Sequence, residues 1–225
     1  MLDHSPTMNY EVIDILFRSR TTLLDHLETQ GYGTEPFRKI AHTELDQMVR
    51  AGPIAGAPPA LQMELERKEE STETIRKCIV VTTLGKIKQK LKAFTEKLID
   101  PEETGFDAKT TELIVLTLEP IAANFHAMAF ECYAKHGVCI RYFQCEAIIN
   151  NPLKHVLVPL HEKIPKEQEA PLLQSLYAKK NQFPLIRFHE DPIARMLGIL
   201  PGDIVKITRP SPTAGKYVTY RVCVP

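Results

Sequence analysis

The apolar positions of the chain change period along its length, and each period predicts an element. Val12, Leu16, Leu23 and Leu27 recur at helical spacing, and Ile13 and Leu24 widen the stripe. This predicts an amphipathic helix over Glu11–Gln30, ended by Gly31 and Gly33. The Pro/Gly/Ala run from Ala51 to Pro59 predicts a loop or linker, and the densely charged stretch from Leu61 to Lys77 a solvated helical face. The rhythm then alters. Cys78–Thr83 is a β-branched run of the kind that a strand buried on both faces uses. Leu84, Ile87, Leu91, Phe94 and Leu98 step by three and four, which marks a helix with lysines on its other side. Glu112–Leu118 predicts a second buried strand, and Ile121, Phe125, Met128, Ala129 and Cys132 a second helix that stops at Gly137. Val138–Phe143 predicts a third strand. Strands alternating with helices predict a helix-covered, mostly parallel sheet: an α/β domain over residues 1–150.

Past Asn151-Pro152 the pattern is one of short strands and turns, which predicts a separate small α+β domain over residues 151–225, with a helix over Lys166–Lys180. Asp191 is a good N-cap and Pro192 suits the first helical position; Ala194, Met196 and Leu197 continue that short helix to Gly198, placed for a left-handed C-cap. Leu200-Pro201-Gly202-Asp203 predicts a tight turn with Pro second and Gly third. Ile204–Ile207 and Tyr217–Val222 predict strands. Between them Arg209–Lys216 reads as a loop longer than a minimal hairpin turn. A compact domain with an exposed, basic loop rich in hydroxyl groups points to docking, not to catalysis.

Charge adds little on the whole-chain scale, since 28 basic residues balance 28 acidic ones. From Phe183 to Pro225, however, six Lys/Arg stand against three Asp/Glu, a modestly basic end. The five cysteines are odd in number and lack a Cys-x-x-Cys pair, which predicts free thiols in a reducing compartment. No apolar run is long enough for a membrane span, and the start lacks the pattern of a secretory signal, so no membrane partner and no secretion are expected.

The C-terminal string closely resembles the fifth subunit shared by the nuclear RNA polymerases, together with its shorter archaeal counterpart. The resemblance rests on Asp191, Pro192, Arg195, Gly198, Gly202, Val205, Ile207, Arg209, Ser211, Thr213, Ala214, Gly215, Tyr217, Tyr220 and Arg221, matched in order. The segment from Pro184 to Asp191 is about one residue longer than in typical members, which predicts a bulge in the incoming strand. The resemblance extends more weakly over the first domain. It implies a helical lead and an α/β jaw domain with an endonuclease-like fold, and a stretch like His155–His161 leading into an assembly domain. It also implies a non-catalytic subunit of a multisubunit DNA-dependent RNA polymerase. Such a subunit would anchor to the largest polymerase subunit, contact other subunits, and lie near downstream double-stranded DNA within the complex. The implied partner-binding residues are Arg195, Arg209, Pro210, Ser211, Thr213, Ala214, Gly215, Lys216, Tyr217, Tyr220 and Arg221; the implied DNA-proximal residues are Pro120 and Ala122. Glu119 departs from the hydroxyl-rich loop of the family and would repel a phosphate. No cofactor is implied. The archaeal counterpart lacks the jaw, so two domains point to a eukaryotic cell or a large DNA virus of one. The location is then the nucleus in the first case and a virion or viral factory in the second.

Two other function classes stand beside this reading. A magnesium-dependent nuclease needs acidic residues and a lysine at the sheet edge, and that spacing occurs at Glu66-Arg67-Lys68 and Asp107-Ala108-Lys109. A free DNA-binding factor would use a basic face such as Lys86, Lys88, Lys90, Lys92 and Lys97, although such lysines more often keep a helix solvated. Cys132, His136, Cys139 and Cys145 have the donor types of a zinc site. They lack the tight pairs on turns that structural zinc uses, and read as core residues; no metal is expected.

Overall fold

A computed structural model of the chain describes residues 10–51, 61–67, 75–100 and 106–225. The chain divides into two compact units. One holds residues 1–128 and 132–151; the other holds Ala129–Glu131 and Pro152–Pro225. No helix among the described residues is long and apolar enough to cross a membrane.

The first unit begins with α1 (Tyr10–Thr29), whose buried stripe includes Ile13, Leu16, Leu23, Leu24 and Leu27. Helices α2 (Glu35–Arg38) and α3 (His42–Ala51) follow and pack on α1. A four-stranded sheet comes next: β1 (Met63–Glu66), β2 (Lys77–Thr83), β3 (Thr111–Thr117) and β4 (Ile140–Gln144), in that spatial order. β2, β3 and β4 are parallel, with Cys78 opposite Glu112 and Leu113 opposite Ile140; β1 runs antiparallel to β2. All seven positions of β3 are buried, as a central parallel strand requires. The crossovers carry α4 (Leu91–Ile99) and α5 (Ala123–His136). Both meet Tyr142 of β4: Thr95 lies 2.8 Å from its hydroxyl, and Phe125 packs edge-on at 5.3 Å. The expected helix-flanked, mostly parallel sheet is therefore present.

Two local expectations change. The charged stretch after Leu61 is not a helical face, for Met63–Glu66 is an edge strand with Met63 and Leu65 buried and both glutamates exposed. Four residues are too few for a period of two to stand out against dense charge, and outward glutamates are how an edge strand avoids pairing with other chains. Residues 68–74, with Lys68, lie outside the described residues, as do 52–59 of the expected Ala51–Pro59 loop. The helix expected from Leu84 begins only at Leu91, after a single 3-10 turn at Lys88–Lys90. The Glu119 carboxylate explains the delay: it accepts the Ile87 and Lys88 N–H groups at 2.8 and 3.0 Å and holds that stretch as a loop.

The parallel sheet also buries an ion pair. Glu112 on β3 and Arg141 on β4 meet at 2.7 Å with side chains 7% and 2% exposed. The other carboxylate oxygen accepts the Tyr32 hydroxyl at 2.8 Å, and Arg67 stacks over the Tyr32 ring. Burial and the Glu112 charge both push the Tyr32 phenol up; burial also raises the Cys78 thiol nearby, with Glu112 adding to it.

The second unit is a mixed sheet of β5 (Leu160–Lys163), β6 (Leu185–Arg187), β7 (Ile204–Ser211) and β8 (Gly215–Val224), in the order β5-β7-β8-β6. β7 pairs antiparallel with both β5 and β8, while β6 lies parallel to β8. Helix α6 (Lys166–Ser175), which carries Pro171 within it, stops short of Lys180, and just past its end Tyr177 turns to φ 49°. Helix α7 (Pro192–Leu197) has the predicted ends: Asp191 accepts the Ile193 and Ala194 N–H groups at 2.8 and 3.2 Å, and Gly198 is left-handed at φ 65°. Gly202 takes φ 91° at the third position of its turn, whose Asp203 carboxylate accepts the Leu200 N–H at 2.9 Å and pairs with Lys163. The expected bulge before Asp191 is absent. β6 keeps an unbroken register against Val222–Val224, and the turn Phe188–Glu190, with buried His189 at φ 59°, takes up the length.

Replacing Glu112 by Gln, or Arg141 by Met, strands one buried partner, and each substitution is expected to lower unfolding free energy by about 3–5 kcal/mol, read by urea titration. A second expectation concerns alkaline pH. Burial holds the Cys145 thiol up at about 11 against an ordinary value of 9.0. The unfolded chain thus loses this proton first, so the contribution is intact below pH 9 and lost as pH rises towards 11. Under reducing conditions the melting temperature should fall over that window, and fall less in Cys145→Ala.

Candidate docking surface

The hairpin β7–β8 carries most of the residues expected to meet a partner. Its strands stay paired to the tip, with Arg209 opposite Tyr217, Pro210 opposite Lys216 and Ser211 opposite Gly215. The segment is therefore a tight hairpin over Pro212–Ala214, not the long loop that its Pro and Gly residues suggest. Two features make the reversal possible. Gly215 adopts φ 69°, a left-handed value that disfavours a side chain, and the Ser211 hydroxyl accepts the Ala214 N–H at 3.3 Å. Nothing lies within 4 Å of where a Gly215 Cβ would stand, so conformation explains the glycine here.

Alternation along the strands divides the expected residues between two faces. Arg209, Tyr217 and Arg221 share one face with Ile207 and Thr219, and with Pro159, His161, Pro184, Ile186 and Asp191 they line a groove of about 460 Å³. Its base is apolar at Ile186 and Ile207, both buried. Its rim is cationic. The Arg209 guanidinium lies 4.9 Å from the Tyr217 ring centroid, and Arg221 donates to the Leu185 carbonyl at 3.0 Å. No carboxylate among the described residues pairs with Arg209, Lys216 or Arg221, because Asp191 is directed to the N-terminus of α7. Pro210, Lys216 and Tyr220 lie on the opposite face, where Tyr220 meets Phe183 edge-on at 6.2 Å. Arg195 is half-buried on α7, and burial lowers its pKa while Asp191 partly offsets that effect. His161, Ile186 and Thr219 carry no sequence signal as groove residues. Pairing of β5 and β6 with a distant hairpin brings the first two there, and no local pattern announces such pairing.

The hairpin also has an open edge. β6 covers β8 only at Val222–Val224, leaving Gly215–Arg221 without a strand on that side. The Val222 N–H points outward, donating to the Pro184 carbonyl at 3.0 Å, so by alternation Val218 and Tyr220 also direct their N–H and C=O groups outward. Among the described residues neither takes part in a backbone hydrogen bond on that side. Tyr217 and Val218 are 46% and 42% exposed along this stretch.

Elsewhere the expected groups do not converge. Pro120 is exposed and half-buried Ala122 is the N-cap of α5 without a side-chain bond. Glu119 beside them is engaged with Ile87 and Lys88, so it clips two loops at the C-terminal edge of the sheet. Lys86, Lys88, Lys90, Lys92 and Lys97 are all exposed. Asp107 closes a turn before β3, accepting the Lys109 N–H at 3.1 Å and the Thr110 hydroxyl at 2.7 Å, which lowers its pKa. Cys132 is buried against Met128 and His136 is exposed, while Cys139 and Cys145 are buried free thiols.

Comparison with known proteins bears on this surface. The family model described as "RNA polymerase Rpb5, C-terminal domain" matches residues 150–223, a range that includes the groove and the hairpin. The chain is 53% identical over 70 residues to the DNA-directed RNA polymerase subunit Rpo5 of Archaeoglobus fulgidus, covering 31% of this chain and 91% of that protein. It is 34% identical over 118 residues to the DNA-directed RNA polymerases I, II, and III subunit rpabc1 of Dictyostelium discoideum, covering 52% and 59%. Over 85 residues it is 41% identical to the RPABC1 subunit of Caenorhabditis elegans, covering 38% and 40%. The matches thus span 59% and 40% of the lengths of these two eukaryotic relatives.

The N-cap that supports the groove wall gives a direct test of its construction. Asp191→Ala removes the acceptor for two N–H groups and should lower unfolding free energy by about 1 kcal/mol, measured by urea titration, whereas Asp191→Asn should retain most of it.

Proposed function

We propose, from the premise that the chain belongs to the family of the fifth RNA polymerase subunit, that it is a non-catalytic subunit of a multisubunit DNA-dependent RNA polymerase. In this reading the second unit anchors the protein to the largest subunit. The first unit forms part of the lower jaw near downstream DNA, with Pro120 and Ala122 on the side facing the duplex. Arg209, Ser211, Thr213, Tyr217 and Arg221 lie towards the partner, and Gly215 and Ala214 shape the tip. The work takes place in the nucleus for a cellular enzyme, or in a virion or viral factory for a viral one.

The observation that carries the reading is the juxtaposition of the cationic groove with the open edge of β8. An extended segment of a partner can add its backbone to Val218 and Tyr220 while a carboxylate on it reaches Arg209 or Arg221. Each feature alone is common on protein surfaces; together they describe a site for an acidic, extended stretch of polypeptide. Exposed apolar side chains in the same unit, Val156, Leu157 and Tyr177, further favour burial by neighbouring subunits. Nuclease chemistry finds less support, because Asp107 is committed to a turn and Glu112 to an ion pair.

Affinity purification of the tagged full chain from its native source tests the reading. The large polymerase subunits should co-purify, and Arg209→Glu with Arg221→Glu should reduce their recovery roughly tenfold or more, about 1.4 kcal/mol or more of lost charge pairing. Val218→Pro should also reduce recovery while leaving the fold intact, since its N–H faces away from β7. Recovery of the chain without any polymerase subunit would overturn the proposal. Magnesium-dependent cleavage of DNA by the isolated protein would turn the assignment towards a nuclease.

A further inference from the structure

Arg20, on α1 of the first unit, is 7% exposed, yet it holds no ion pair among the described residues. Its Nε is buried and lacks a hydrogen-bond partner. The guanidinium carbon stands 5.9 Å from the Phe37 ring centroid, at the outer limit of a cation–π contact. Burial draws its pKa down to about 10, which still leaves the group charged at neutral pH. An isolated buried cation is costly, and the arginines nearby are answered where this one is not. Arg38 bonds Thr34, Asp25 and Glu28, and Arg18 pairs with Asp14.

Arg20 lines a cavity of about 40 Å³ together with Phe17, Thr21, Leu24, Phe37, Arg38 and Ile40. At about 10–15 Å³ for each enclosed water, the space suits roughly three water-sized atoms. That is the size of a planar carboxylate and well short of a nucleotide base. The walls are mostly apolar, so pairing inside is stronger than at an exposed site. The Thr21 hydroxyl is directed to the Phe17 carbonyl at 2.9 Å and does not compete for Arg20. Asp25 and Glu28 carry negative charge nearby, but both are held on Arg38.

We propose that this pocket binds a single carboxylate group, seated against Arg20 by charge-assisted hydrogen bonds and presented by an acidic side chain of a neighbouring polypeptide or by a small free carboxylate. The site is independent of the groove on the second unit and of the polymerase reading. A buried arginine resists exchange at Nε–H, so the group can be followed directly by NMR in the full chain labelled with ¹⁵N-arginine, its signal assigned by its loss in Arg20→Lys. Sodium formate and N-acetyl-glutamate α-amide are titrated against sodium chloride at matched ionic strength. The Arg20 Nε–H signal should shift saturably with carboxylate and not with chloride. Saturation by formate alone assigns the site to small free carboxylates; saturation by the blocked glutamate as well assigns it to side chains. Arg50→Met should respond as the unmodified protein does. Failure of the Arg20 signal to move with either carboxylate beyond the chloride control would overturn the proposal, as would an equal response at exposed arginines.

Discussion

An ionised carboxylate in the middle of a parallel sheet has to be matched on both oxygens, and the first unit is organised around that demand. Glu112 is answered by Arg141 from the neighbouring strand and by the Tyr32 hydroxyl from the turn after α1. Arg67, just beyond β1, lies over the Tyr32 ring, and Cys78 of β2 is opposite Glu112. One charge thus ties together the end of α1 and all four strands at one end of the sheet. A slip of register on β3 or β4 would separate the partners and leave each charged group buried alone, so the pair specifies the arrangement whatever its net contribution to stability. Glu119 does a similar task at the other end, where its carboxylate holds two loops through backbone N–H groups.

Carboxylates in the second unit follow the same rule. Asp191 is used by the first turn of α7, and Asp203 by its turn and by Lys163. Cations on the groove side of the hairpin receive no such answer. Arg209 rests on an aromatic ring and Arg221 on a carbonyl, contacts that position a guanidinium without neutralising it. The open edge of β8 lies beside them. Unsatisfied backbone groups and unneutralised charge are both tolerated in water, and both are displaced at a gain when an acidic, extended segment arrives.

Local signals in the sequence are legible where one residue type has one physical use. The cap at Asp191, the left-handed Gly198 and Gly202, and the helical stripe of α1 are all of this kind. The hairpin tip misleads because Pro210, Pro212 and Gly215 suggest a loop, whereas Pro210 lies within β7 and Gly215 supplies the reversal itself. β1 is hidden because glutamates dominate its composition, although Met63 and Leu65 alternate with them. Glu112 and Arg141 are legible only as members of apolar strands. Their partnership depends on a parallel register between residues 29 apart, which no local pattern encodes. The groove suffers the same limit: Arg209, Tyr217 and Arg221 are visible, but His161 and Ile186 enter through strand pairings across long separations.

Among the described residues, Arg209, Lys216 and Arg20 are cations without an ion pair and fall into two physical classes, and the distinction governs what each can do. Arg209 and Lys216 are solvated, so leaving them unpaired costs little and a partner gains from them mainly in orientation and rate of encounter. Arg20 is buried and shares its cavity with Phe17, Leu24, Phe37 and Ile40, so its charge weighs on the stability of the first unit whenever the pocket holds only water. A carboxylate entering that pocket would relieve a cost already present in the free protein, and it would therefore stabilise the fold as well as bind. In the proposed reading, exposed charge on the second unit selects a neighbour, while buried charge on the first makes the folded state itself respond to one.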